Sequence, residues 1–227
     1  MKMNKQLSYK EAVEIQKSLL LKLDLKPAIN IENLQTVAGV DCSYLPKRGE
    51  EIHLGYGAIV VCSYPDLEIL EIGKAVERIE FPYIPGLLAF REFPIIEQAW
   101  KKLNIKPDCL VFDGQGIAHP RRMGIASHAG ILLNCPSIGS AKSILVGKAK
   151  EPELKKGSYE TLFYEQDIIG VVLRSRDNVK PIIVSPGHKM DVLTARKIVL
   201  NLCRRYRLPE VIRYAHNTVN QMRMEKK

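Results

Sequence analysis

Two short apolar runs in this chain each end on an acid: Val37-Ala38-Gly39-Val40 leads into Asp41, and Cys109-Leu110-Val111-Phe112 leads into Asp113. Apolar, β-branched runs of this length read as buried strands. An ionised carboxylate at the end of a buried strand is expensive to desolvate unless a cation or a metal meets it. The two strands are therefore expected side by side, with their carboxyl ends opening on one edge of a sheet. Taken singly, each aspartate also suits a turn cap, because Asp41 precedes Cys-Ser and Asp113 precedes Gly-Gln-Gly.

The remaining chain supports a sheet with helices on its faces. Residues 9–24 carry apolar side chains at helical spacing behind Ser8, predicting a capped amphipathic helix packed on the outside of a sheet. The strand ending at Asp41, the turn-forming stretch 45–51, and the β-branched runs at 53–63 and 67–79 predict a three-stranded antiparallel meander. A helix is predicted over 87–103, with Pro94 in its first turn or at a kink. Next come a strand at 109–116, a helix at 124–134, a short buried strand within 135–142, an irregular lysine-rich stretch at 148–157, strands at 167–175 and 181–185, and a helix at 191–206. A meander followed by alternating helices and strands implies an α/β fold with a mixed sheet, antiparallel first and parallel after. With 227 residues and no long linker or internal repeat, a single domain over 1–227 is expected, its last few residues disordered.

Charge narrows the partner. Lys and Arg number 34 against 25 Asp and Glu, a formal +9 that favours a polyanion. Five cysteines, odd in number and without C-x-x-C spacing, read as reduced buried thiols. The N-terminus is charged where a signal peptide needs its apolar centre, and no apolar run approaches the roughly 18 residues of a membrane span. A cytoplasmic protein without a membrane partner is expected.

Several residues beyond the two aspartates suit chemistry. Glu92 lies among Leu88, Ala89, Phe90 and Phe93, which would bury it, whereas Glu97 reads as a solvated helix-face residue. Three carboxylates near strand ends suit a hard cation such as Mg²⁺ or Mn²⁺. The stretch 113–130 adds glycines that let a backbone approach a ligand, His119 to hold or move a proton, and Arg121-Arg122 for phosphates. His128 falls inside the following helix and reads as a packed histidine. Lys142 follows an apolar strand. Pro82-Tyr83-Ile84-Pro85 forms a rigid tip that either inserts between bases or simply covers the core. Arginines 204, 205, 207, 213 and 223, with Lys226 and Lys227, surround His216.

Five motifs in order, VAGVD, FPYIPGLLAFRE, FDGQGIAHPRRMGIASHAG, GSAKS and SPGHKMD, resemble the endonuclease V family from about Thr36 to about His216. The resemblance implies a ribonuclease-H-like fold and an enzyme that incises nucleic acid at deaminated adenine. It implies metal-binding carboxylates at Asp41, Glu92 and Asp113, and further active-site residues at His119, Lys142 and His216. It matches Pro82, Tyr83, Ile84 and Pro85 to a strand-separating wedge, and places the extruded base against backbone around Gly86, Leu88, Gly114 and Gly139. The implied reaction is Mg²⁺-dependent hydrolysis of the second phosphodiester bond 3′ to deoxyinosine in DNA, with Mn²⁺ able to substitute, and a monomer is expected. Inosine-containing RNA as substrate, and non-catalytic binding of damaged or structured nucleic acid, are the alternatives.

Overall fold

A computed structural model describes residues 7–45 and 54–225. The expected turn at 45–51, apart from Leu45, and the chain's last two residues lie outside the described part. Helix α1 (Tyr9–Leu20) begins at a capping box in which Ser8 and Glu11 satisfy each other's backbone N–H groups. The strands are β1 (Thr36–Leu45), β2 (Leu54–Ser63), β3 (Ile69–Arg78), β4 (Cys109–Phe112), β5 (Ser137–Ala141), β6 (Tyr159–Tyr164), β7 (Asp167–Leu173) and β8 (Ile182–Pro186). The other helices are α2 (Leu88–Lys101), α3 (Ile125–Leu133), α4 (Val192–Leu202) and α5 (Glu210–Met224).

All eight strands form one sheet in the order β3-β2-β1-β4-β5-β8-β7-β6. The meander β1-β2-β3 is antiparallel, and β1, β4 and β5 run parallel at the centre. Beyond β5 the sheet returns to antiparallel pairing through β8, β7 and β6, so its parallel part is narrower than expected. Side chains alternate across the sheet as strand geometry requires. Val37, Cys109 and Val111 face α4 and α5, while Ala38, Val40, Leu110 and Phe112 face α2 and α3. Nearly continuous apolar runs follow from this burial on both faces.

Three expectations change. Helix α1 stops at Leu20 and packs on α3 and the Phe81–Leu87 segment rather than on the sheet. Strand β1 does not end at Asp41: pairing with β2 carries it on to Leu45, and only its parallel pairing with β4 stops at Val40. Pro94 lies in the interior of α2, seventh of its fourteen residues. All five cysteines carry free thiols, four of them buried. Among the described residues no helix is long and apolar enough to cross a membrane.

Candidate active site

The register of the central strands assembles the site. Val40 pairs with Phe112 at the end of the parallel ladder, so Asp41 and Asp113 come next on adjacent strands. Lys142 follows the end of β5, the third central strand. Along β1, side-chain alternation turns Asp41 to the side of Val37, toward α5, and turns Tyr44 to the side of Ala38 and Val40, toward α2. Glu92 projects from α2 and His216 from α5. Asp41, Glu92 and Asp113 thus line one small recess with Val40, Cys42, Ile96, Phe112 and Ile125.

Each carboxylate meets a protein donor. Asp41 Oδ2 lies 2.9 Å from His216 Nδ1, and Asn220 Nδ2 is 2.9 Å from His216 Nε2. With the Asn220 amide donating, His216 carries its proton on Nδ1 and donates to Asp41. Lys142 Nζ donates to Asp113 Oδ2 at 2.5 Å, and Tyr44 Oη donates to Glu92 Oε1 at 2.8 Å. Burial drives the Glu92 carboxyl up to about 8 despite the Tyr44 hydrogen bond, with repulsion from Asp41 and Asp113 adding to it. Burial also raises Asp41, against the pull of His216.

Among the described residues no three His, Cys, Asp or Glu side chains stand ready as a closed metal cage. The donor chemistry nevertheless fits a hard divalent cation. Three carboxylates repel one another in a partly buried recess, and a cation is what would hold Glu92 ionised near neutral pH. Asp41, Glu92 and Asp113 are the residues that would hold it.

Beside this recess lies a larger cavity of about 250 Å³, sharing Ile125 with it. Its walls include Tyr83, Ile84, Pro85, Gly86, Leu88 and Gly114. Helix α2 starts there without any side-chain cap, leaving first-turn N–H groups at the cavity wall. Tyr83, 69% exposed, stands at the rim. Pro82 and Gly139 are not part of the lining. Gly139 instead supports the 114–116 loop from behind, where a Cβ would come within 2.4 Å of the Gly116 nitrogen.

Other expected residues take different places. His119 sits in the cavity wall, 3% exposed, with its Nε2 3.1 Å from the Gly86 oxygen and its Nδ1 accepting from the Arg121 N–H at 3.2 Å. Both ring nitrogens are therefore engaged away from the carboxylates. Burial, reinforced by Arg121, lowers its pKa to about 4 and keeps the ring neutral. Arg121 is bonded to Gln16 and the Gly86 oxygen, and Arg122 to Asp167 and the Tyr164 oxygen, so each guanidinium has partners within the protein itself. Arg204 holds the Pro65 and Asp66 oxygens, and Arg207 holds those of Lys142, Lys180 and Pro181. Turn and loop carbonyls need donors, and these arginines supply them. His128 is packed, as expected, against Phe90 and Phe93.

Sequence reasoning missed Tyr44, Asn220, Gln115, which ties the Ser143 oxygen at 2.9 Å, and Gln16. Only Gln16 carried a signal: it occupies the middle of the buried stripe Ala12, Gln16, Leu19.

The family model for Endonuclease V matches residues 17–217. Endonuclease V of Dictyoglomus thermophilum is 50% identical over 212 residues, 93% of this chain and 90% of that protein. The crystal structure of Endonuclease V from Bacillus subtilis is 33% identical with a TM-score of 0.92, covering 100% of this chain and 96% of that one. Ciona intestinalis Endonuclease V, solved with a 24mer DNA containing an inosine followed by a ribo-adenosine, is 26% identical with a TM-score of 0.83 over 96% of this chain and 98% of that one. A match this long, on a sheet whose adjacent strand ends bring the motif carboxylates into one recess, makes the chain a member of the Endonuclease V family and an endonuclease.

Proposed function

We propose that this endonuclease acts on DNA containing deoxyinosine and hydrolyses the second phosphodiester bond 3′ to the lesion, leaving 3′-hydroxyl and 5′-phosphate ends. The carrying observation is the cavity beside the carboxylate recess, walled by apolar side chains and the uncapped start of α2. Hypoxanthine carries a carbonyl acceptor where adenine carries an amino donor. A helix N-terminus offers N–H donors and positive potential, which favour the carbonyl and disfavour the amino group. The inosine-containing DNA bound by the Ciona relative supports the same ligand.

Within this reading Tyr83 and its flanking prolines enter the stack and stabilise the displaced base. Mg²⁺, or Mn²⁺ in its place, held by Asp41, Glu92 and Asp113, would neutralise charge developing on the phosphoryl oxygens. His216 fixes the orientation of Asp41, and Lys142 brings a positive charge to Asp113 and the reacting phosphate. His119 shapes the base cavity rather than moving a proton at the phosphate. A monomer acting within the cytoplasm completes the proposal.

The test is a nicking assay on a duplex with one deoxyinosine, with and without Mg²⁺, using wild type and Asp41→Ala. Mg²⁺-dependent cutting by wild type alone is expected, and no cutting by wild type defeats the reading. A second reading, cleavage of inosine-containing RNA, is favoured by the ribo-adenosine that follows inosine in the Ciona complex. Matched deoxyinosine and riboinosine strands in the same assay separate the two.

A further inference from the structure

One backbone carbonyl at the cavity wall collects three side-chain donors. The Gly86 oxygen lies 3.1 Å from Gln16 Nε2, 3.1 Å from His119 Nε2 and 2.7 Å from Arg121 Nη2. A carbonyl has two lone pairs, so three donors exceed what its desolvation requires. Gly86 itself adopts φ +78°, a conformation that glycine takes without steric cost and that a side chain would strain. The Leu87 N–H closes a turn onto the Ile84 oxygen at 2.9 Å, tying the Tyr83–Pro85 tip to the start of α2.

Gln16 stands behind this arrangement. It is 1% exposed, and it uses both ends of its amide. Its Nε2 donates to the Gly86 oxygen and, at 3.2 Å, to the Met123 oxygen, while its Oε1 accepts from Arg121 Nε at 2.6 Å. Gly86 and Met123 both line the cavity. One side chain from α1 therefore links two segments of its wall, 70 and 107 residues away in sequence. Packing alone does not ask for an amide in a stripe between Ala12 and Leu19, where burying a polar group is unfavourable unless it is fully bonded.

Resting on the reading that this cavity takes the deaminated base, we propose that Gln16, acting with Arg121, is a positioning residue for base recognition. It holds the Gly86 peptide, the wedge tip and the first turn of α2 in register with the Met123 wall before the base arrives. Hydrogen-bond discrimination between a carbonyl and an amino group depends on donors fixed to within about half an ångström. Without the clamp the two wall segments separate and the N–H groups lose their aim.

The experiment compares wild type, Gln16→Met and Leu19→Ala. Leu19→Ala removes buried packing from the same helix without touching the amide network, and so reports what general destabilisation does. In Gln16→Met the KM for a deoxyinosine duplex is expected to rise about tenfold, the size of one or two lost buried hydrogen bonds, while kcat at saturation stays within about twofold. Amide hydrogen exchange over residues 83–89 is expected to accelerate in Gln16→Met alone. An unchanged KM in Gln16→Met, or an equal rise in Leu19→Ala, overturns the proposal. If wild type shows no preference for deoxyinosine, the base reading fails and the recognition role with it. The exchange measurement then still decides whether Gln16 holds the wall, and unchanged exchange refutes that as well.

Discussion

The carboxylates here are ordinary residues made unusual by their neighbours. Glu92 is pushed up to about 8 because burial outweighs the Tyr44 hydrogen bond, and burial also raises Asp41 against the pull of His216. His216 is 55% exposed, so packing does little to hold its ring, and Asn220 one turn along α5 performs that task. Asn220→Ala is expected to lower kcat about tenfold with little change in KM, since the imidazole loses the partner that fixes its tautomer and plane. Steady-state kinetics at saturating Mg²⁺ read this directly. Gly86 is the other exacting position. A Cβ there would stand 2.9 Å from Arg121 Nη2, at φ +78°, so Gly86→Ala should lose about 1–2 kcal/mol of stability and raise KM for the deoxyinosine duplex. Denaturant titration and the same kinetics check both parts. Tyr44 was invisible in the sequence because it lies beyond the apolar run, and only strand parity turns it toward Glu92.

At the scale of elements, the decisive contact is α5 against β1. Gly39 has no side chain where a Cβ would fall 1.9 Å from the Val211 oxygen, so the helix lies directly on the strand two residues before Asp41. That close approach is what brings His216 within hydrogen-bond distance of a residue 175 positions away. Gly39→Ala is expected to push α5 outward, cost about 2–3 kcal/mol of stability, and reduce cutting far more than a destabilisation of that size alone would. A nicking assay well below the variant's melting temperature separates the two effects. Helix α5 escaped the sequence reading because its buried apolar residues, Val211, Ile212, Ala215, Val219 and Met222, are interspersed with polar ones such as Arg213, His216, Asn217, Asn220 and Gln221. Strand β6, with its mixture of exposed and half-buried residues, escaped for a similar reason.

For the whole molecule, the surplus of positive charge is less available than counting suggests. Arg121, Arg122, Arg174, Arg204 and Arg207 are engaged with backbone carbonyls or acids of the protein itself. Histidines set another global property. Burial lowers both His119 and His128 to about 4, so the unfolded chain binds their protons more readily than the folded one. Their contribution is fully present above pH 6.5 and is lost as pH falls from there through about 4. Each amounts to something on the order of 3 kcal/mol at the acid limit. Urea midpoints measured from pH 7 to pH 4 should fall steeply, and more shallowly in His128→Phe, which fills the same aromatic niche without titrating.

Legible in the sequence alone are the buried apolar strand segments that lead into Asp41 and Asp113, although not the continuation of β1 beyond Asp41, because apolar periodicity and the desolvation of a carboxylate are local properties that need no knowledge of neighbours. The meander, the capped first helix, the partial burial of Glu92 and the packed His128 were legible on the same grounds. Which group answers each acid, and which polar residues bond within the protein, follows from the folded arrangement alone. Tyr44, Gln16 and Asn220 acquire their partners, and Arg121, Arg204 and Arg207 acquire carbonyl contacts within the protein, through strand register and the seating of α1 and α5. A hydrogen bond depends on distances of a few tenths of an ångström between segments far apart in the chain, and periodicity carries no information of that kind.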